Sequence, residues 1–117
     1  MNKLEQHNAK ITGTMLGIED HGIMTFMLYT EFDGGGVGFG GYALDEYDGI
    51  SGRKSTELGM ECVKEVMRVV GVEKWEDIKG KHIVVESEGW GGKATGIRNL
   101  LKEDLWFRPE EWFKERM

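Results

Sequence analysis

Apolar and polar residues alternate along two segments near the start of the chain, and this pattern predicts an antiparallel hairpin. Residues 9–18 mix threonine with apolar residues, and residues 23–32 alternate along most of their length. Because successive side chains of a strand point to opposite sides, four apolar residues of the second segment share one face: Met24, Phe26, Leu28 and Phe32. Residues 19–22 carry turn-forming residue types. Residues 1–8 are polar and are predicted to be loosely held.

The spacing of apolar residues changes to a helical period of about 3.6 residues over positions 56–70. The apolar side chains of this segment fall on one broad arc and the charged ones on the rest, which predicts an amphipathic helix. Ser55 or Thr56 can cap its first turn, and Gly71 is predicted to end it. Pro109 suits the first turn of a short C-terminal helix.

Strand patterns return after the long helix. Residues 81–86 are rich in β-branched side chains, and residues 93–97 read as their hairpin partner. Residues 36–43 predict a further strand, whereas residues 45–54 are acidic and polar and predict a loop. Together these elements indicate an α+β domain, in which an antiparallel sheet of about five strands packs against one central amphipathic helix.

Two dense glycine clusters, within residues 34–41 and residues 89–93, set this sequence apart. Glycine loses more backbone freedom on folding than any other residue, so such clusters predict tight turns, close backbone packing or a surface that another molecule approaches. A strand through the first cluster carries Val37 and Phe39 on one side and almost nothing on the other. Another backbone or a ring can lie flat against such a bare face. We therefore expect the two clusters to be ordered and to lie beside each other.

Both clusters partly match nucleotide-binding motifs. Residues 36–41 fit the spacing G-x-G-x-x-G, but that motif needs a helix at its third glycine, and a loop is predicted there. Gly92 and Lys93 are similar to the end of a phosphate loop, yet Ala94 stands where a Ser or Thr should bind Mg²⁺. A tight hairpin with an exposed Trp90 explains the second cluster better.

The candidate binding residues lie in and beside the glycine clusters: Gly38, Gly40, Gly41, Tyr42, Asp45, Trp90, Gly91 and Lys93. Aromatic side chains dominate protein interfaces, which favours contact with a partner through Tyr42 and Trp90. In the alternative interpretation, a small ligand or nucleotide occupies a pocket between the clusters, with Lys93 and Asp45 as polar anchors.

Titratable residues are densest at Glu19, Asp20 and His21. A histidine beside carboxylates can serve as a general base, so these three are the candidate catalytic residues of a small hydrolase. A hydrated turn explains them equally well. Cys62 lies on the apolar arc of the helix and is predicted to act as a small hydrophobe. Since histidines at metal-ligand spacing are lacking and one cysteine cannot build a zinc site, we expect neither a metal nor a cofactor.

Size and charge narrow the function further. A length of 117 residues predicts a single domain spanning 1–117, and a net charge of −6 argues against direct nucleic-acid binding. The single cysteine favours a reducing, intracellular setting, and neither a signal peptide nor a membrane-spanning window is recognisable. We expect a cytoplasmic protein without membrane contact. A two-fold homodimer stays open, because it is the commonest kind of oligomer.

Three segments, residues 17–23 (GIEDHGI), 38–45 (GFGGYALD) and 86–93 (ESEGWGGK), resemble small uncharacterised proteins encoded by bacteriophages and prophages. The resemblance covers most of the chain, from residue 10 to Pro109. It implies a bacterial cytoplasm during infection, and small acidic phage proteins often act by binding, including as inhibitors of host defence systems. We therefore expect a non-catalytic phage accessory protein with a protein partner; ligand binding is the alternative, and hydrolysis is the least favoured.

Overall fold

The computed structural model describes residues 4–88 and 93–117, which form an α+β fold. Within these ranges, eight strands, two α-helices and one short 3-10 helix (Trp75–Asp77) are present: β1 (Leu4–Ile18), β2 (Met24–Phe32), β3 (Gly35–Gly40), β4 (Asp45–Tyr47), β5 (Arg53–Ser55), α1 (Glu57–Val70), β6 (His82–Glu88), β7 (Ala94–Asn99), β8 (Trp106–Phe107) and α2 (Pro109–Arg116). Six strands form one antiparallel sheet in the order β3-β2-β1-β6-β7-β8, and β4 pairs with β5 alone. The α+β class is thus confirmed, with one strand more in the main sheet than expected.

The first strand is longer than the sequence pattern predicts, because two different strands pair with its two halves. Leu4–Lys10 runs antiparallel to β6, and Lys10–Ile18 runs antiparallel to β2. The register shifts between Ile11 and Gly13, where the strand passes from one partner to the other. Residues 4–8, expected to be loosely held, therefore lie within the sheet, since β6 supplies partners for their backbone.

The segment 45–54, predicted to be a loop, instead forms the small β4–β5 hairpin. Its turn is closed by Asp48, whose carboxylate accepts backbone hydrogen bonds from Ile50 at 2.8 Å, Ser51 at 2.8 Å and Gly52 at 3.1 Å. The hydroxyl of Ser51 also donates to this carboxylate. Local capping of this kind lets a short polar segment turn back on itself.

A chain of aromatic rings links the two ends of the sheet. Phe39 on β3 packs 5.7 Å from Phe26 on β2 and 6.1 Å from Phe107 on β8, measured between ring centroids. Phe107 in turn meets Trp112 of α2 at 5.6 Å. Some Cα atoms of β3 and β7 also lie within 8 Å of each other, although β2, β1 and β6 stand between these two strands in the order of the sheet. The sheet therefore curls into a partly open barrel around one core.

Helix α1 begins and ends where the sequence predicts. Thr56 caps it by accepting a hydrogen bond from the Gly59 N–H at 2.9 Å, and Gly71, with φ of 93°, ends it. Its position differs from the predicted one, because it approaches β7 and β8 rather than the centre of the sheet. Within the two described ranges, no helix has the length and hydropathy to cross a membrane.

The contact between α1 and the segment before β4 yields a first prediction. A β-carbon at Gly59 would collide with the backbone carbonyl of Leu44, which is a rigid neighbour. We expect Gly59→Ala to lower the free energy of unfolding by about 1–3 kcal/mol, although alanine favours helices more than glycine does. Met60→Ala is the control, since Met60 is 63% exposed on the same helix. Equal stability of Gly59→Ala and the wild type in denaturant titration would contradict this packing.

The β4–β5 turn yields a second prediction. Hydrogen bonds from the Ser51 hydroxyl and from the backbone N–H groups of Ile50, Ser51 and Gly52 lower the pKa of Asp48 to about 2. A depressed pKa stabilises the fold above the unfolded value of about 3.9 and loses that effect as the pH falls through the folded value. The melting-temperature gap between wild type and Asp48→Asn should therefore shrink between about pH 4 and pH 2. Glu46→Gln, on the same hairpin but outside its turn, is the control; a pH-independent gap would refute the capping role.

Candidate functional site

The sheet has one covered and one open side. The outer side of β1–β3 carries a surface that we call the open face, and its members follow from the strand register: Gly13, Met15, Met27, Tyr29, Gly36 and Gly38. Tyr29 stands between Gly13 and Gly38 in one row across the strands and is 47% exposed. Its ring leans over Gly13, with Cδ2 at 3.6 Å from where a β-carbon would lie. The absence of side chains on both neighbours leaves this ring accessible from outside.

Strand β3 forms an edge of the sheet, and the hydrogen bonding of its backbone follows from one contact. Gly41 donates its N–H to the carbonyl oxygen of Phe26 at 2.8 Å. In an antiparallel pair the direction of the backbone groups alternates, so the even-numbered residues of β3 turn their N–H and C=O groups away from β2. Gly36 is exposed and Gly38 is half-buried, whereas Gly40 is buried. The accessible part of the edge therefore consists of Gly36 and Gly38.

The glycines of β3 differ in why they are needed. A β-carbon on Gly36 would lie 2.6 Å from the carbonyl oxygen of Thr30, and one on Gly40 would collide with the carbonyl of Phe26. Gly40 also has a φ of 130°, which other residues rarely adopt. At Gly38 the obstacle is only the flexible end of Met27, with Cε at 2.9 Å. Close packing thus explains Gly36 and Gly40, while Gly38 mainly makes room for the side chain of Met27.

Lys93, the last residue of the second glycine cluster, contacts Tyr42, which directly follows the first cluster. The Nζ atom of Lys93 lies 5.0 Å from the centroid of the Tyr42 ring, a cation–π contact. The same ring packs against Phe26, Phe39 and Phe113, and burial raises the pKa of the Tyr42 hydroxyl. Tyr42 therefore belongs to the rim of the core. Trp90 and Gly91, also predicted to bind a partner, lie outside the described residues.

Asp45 has a structural role at the start of the β4–β5 hairpin. Its carboxylate accepts a hydrogen bond from Arg53 Nε at 2.7 Å and one from the backbone N–H of Met24 at 3.2 Å. Although desolvation opposes it, the ion pair with Arg53 keeps the pKa of Asp45 below its usual value. Asp45 thus holds the hairpin against β2. Within the described ranges no contact joins it to Lys93, the other predicted anchor of a ligand pocket.

The predicted catalytic cluster forms the β1–β2 turn. Glu19 Oε1 accepts hydrogen bonds from the backbone N–H of His21 at 2.6 Å and of Ile23 at 3.3 Å, while Oε2 lies 3.2 Å from His21 Nδ1. The side-chain bond to His21 is the main reason that the pKa of Glu19 is lowered. The His21 side chain is 83% exposed, and Asp20 is also exposed. The geometry is that of a capped, hydrated turn.

An open groove runs along β2 and β3, and it contains residues that the sequence interpretation passed over. It is lined by polar, aromatic and glycine residues and by one valine: Thr12, Tyr29, Thr30, Glu31, Phe32, Gly35, Gly36, Val37 and Gly38. One signal for Tyr29 was present in the sequence, because an aromatic side chain at an odd position of residues 23–32 points away from the apolar face. Its neighbours on β1 follow only from the strand pairing.

Other reactive groups have ordinary structural surroundings. Cys62 is buried in α1, and burial raises the pKa of its thiol to about 12, so the reactive thiolate is suppressed. Among residues 4–88 and 93–117, no three His, Cys, Asp or Glu side chains converge to hold a metal ion.

Comparison of this chain with protein-family models, with curated proteins and with solved structures found no match.

The geometry of the β1–β2 turn yields a third prediction. Replacing Glu19 by alanine removes the acceptor of two backbone N–H groups, so Glu19→Ala should lower the melting temperature. His21→Ala removes one exposed side-chain contact with Glu19 Oε2 but leaves both backbone hydrogen bonds, so it should lower the melting temperature less. If His21 instead acted in catalysis and Glu19 had no capping role, the two variants would melt alike; thermal unfolding followed by circular dichroism separates these outcomes.

Proposed function

We propose that this protein is a non-catalytic binding module that recognises a protein partner through its open face and the adjoining edge of β3. One observation carries this proposal: an accessible tyrosine stands between glycines, beside an edge strand that has neither a charge nor a proline to protect it. Unprotected edges pair readily with other chains, and exposed aromatic side chains anchor interfaces.

The architecture supports the same surface. The five longer strands follow the order β3-β2-β1-β6-β7, with α1 between the third and fourth of them in the chain. This is the strand order of the OB type of Greek-key barrel, in which the face of the second and third strands and certain loops bind oligonucleotides and oligosaccharides. A fold hosts many functions, so this likeness supports only the choice of the binding face and not the kind of partner.

Charge favours a protein over a nucleic acid as the partner. The net charge of the chain is −6, and a nucleic-acid surface needs an excess of Lys and Arg to contact phosphates. On the open side of the sheet, Lys10 stands directly opposite Glu31, so this side carries no excess of positive charge for contacting phosphates. The resemblance to phage-encoded proteins directs the search for the partner to the bacterial host, including the components of its defence systems.

The fourth prediction tests the open face directly. The tagged full-length protein, Tyr29→Asp and Tyr47→Asp are used for quantitative affinity capture from bacterial lysate. Both tyrosines are exposed strand residues, Tyr29 by 47% and Tyr47 by 65%, but Tyr47 lies on the separate β4–β5 hairpin. We expect wild type and Tyr47→Asp to capture the same host protein in equal amounts. Tyr29→Asp should capture at least about tenfold less of it, as expected when an interface anchor is lost.

Thermal unfolding of all three proteins checks that each variant is folded. Equal capture by all three would show that the open face is not the binding surface. If the wild type captures no specific protein from bacterial lysates, the proposed function itself is rejected.

A further inference from the structure

We infer that the partner contributes an extended strand that pairs antiparallel with β3, with a basic side chain opposite Gly36 and an apolar side chain opposite Gly38. This inference rests on the proposed function and specifies how its surface is used. Addition of a strand to a sheet edge is a recurring mode of recognition, in which main-chain hydrogen bonds give affinity and alternate side chains give specificity.

The backbone of β3 presents the hydrogen-bonding groups that such a strand needs. Gly41 donates its N–H to Phe26, and backbone groups alternate in direction along the strand. The N–H and C=O groups of Gly36 and Gly38 therefore point outward, away from β2. These two residues alternate along the strand, so their outward groups match the two-residue repeat of an antiparallel partner. Gly36 is exposed and has no side chain, so an incoming backbone can approach it closely; at Gly38 the incoming strand meets the flexible end of the Met27 side chain.

The position opposite Gly36 calls for a positive charge. Gly36 lies in the same row as Glu31, and no side chain of Gly36 stands between Glu31 and the edge. Glu31 and Asp33 are both exposed at this end of the strand, and the groove along β2 and β3 includes Glu31. A Lys or Arg of the added strand can therefore reach across Gly36 to the Glu31 carboxylate, while Lys10 stands on the other side of Glu31.

The position opposite Gly38 calls for an apolar side chain. The end of the Met27 side chain extends over Gly38, since its Cε lies 2.9 Å from where a β-carbon of Gly38 would be. Tyr29 lies in the same row as Gly38 and is directed toward Gly13. Methionine adapts its shape to its contacts, so its methyl group offers a deformable apolar surface to an incoming aliphatic or aromatic residue.

A second copy of this chain fits the edge less well. In an antiparallel pairing of β3 with itself, only Gly, Val and Phe residues of the partner strand are available, and none can neutralise Glu31. Each copy also brings a net charge of −6. The charges around this edge therefore favour a basic segment of another protein.

The fifth prediction uses defined peptides with blocked ends and the full-length, isotope-labelled protein. The probe is Ser-Thr-Leu-Thr-Lys-Thr-Ser, in which antiparallel pairing places Leu opposite Gly38 and Lys opposite Gly36. Titration should shift the backbone amide signals of Gly36 and Gly38 and slow their hydrogen exchange. At low salt, replacing the Lys of the peptide by Glu should weaken binding about fivefold, as for an exposed ion pair.

Two controls separate strand pairing from other kinds of contact. N-methylation of the Leu and Lys amides removes the donors that face β3 and should abolish binding. N-methylation of the first and last Thr amides, which face away from β3, should leave binding unchanged. Glu31→Lys should reverse the preference so that the Glu peptide binds more tightly, and Glu46→Lys, an equal charge change on β4, should not.

Four results would overturn the inference: no peptide binding at millimolar concentration, equal binding of both N-methylated peptides, signal changes confined to other surfaces, or a homodimer that already protects Gly36 and Gly38. If Tyr29→Asp still loses the captured host protein in any of these cases, the proposed function survives and only the strand-pairing mode is rejected. If capture does not depend on Tyr29, the proposed function fails independently of the peptides.

Discussion

The contact between Phe39 and Phe107 joins the two ends of the sheet, and the rest of the fold depends on it. These rings come from β3 and β8, which occupy opposite edges, and they meet at 6.1 Å in an edge-on arrangement. Aromatic pairs of this geometry contribute about 0.5–1.5 kcal/mol beyond the burial of their surface. Because the sheet must curl to bring them together, all large aromatic side chains of the core gather on its inner side. The outer side of β1–β3 is left mainly with glycines, methionines and one tyrosine, next to the Lys10–Glu31 row.

The same curl gives the glycines their two roles. At Gly36 and Gly40 of the curled sheet a β-carbon would strike a carbonyl group of β2, and at Gly59 of α1 it would strike the carbonyl of Leu44. Those positions are occupied by glycine for packing reasons. At the edge, however, the packing requirement also leaves a strand whose accessible backbone is unguarded. Packing alone thus explains the glycine at position 36, and the bare backbone that results is available for recognition.

Much of the local structure could be predicted from the sequence because it depends on local interactions. The amphipathic period and the caps at Thr56 and Gly71 define α1, and the alternation of residues 23–32 defines the buried face of β2. The candidate site was predicted only in part. Lys93 contacts Tyr42, but Asp45 is engaged by Arg53 and Tyr42 belongs to the core rim. A residue list cannot distinguish a free carboxylate from one held by a neighbour eight positions away.

The sequence by itself therefore determined the α+β class, the main helix and the strands with a regular alternation, since hydrophobic period and capping act over a few residues. Only the tertiary structure decided that residues 4–8 join the sheet, because their partner β6 lies near the other end of the chain. It also decided which side of the sheet stays open and that Tyr29 stands between two glycines. These features arise from strand register and from contacts between distant segments, and no short stretch of sequence encodes either.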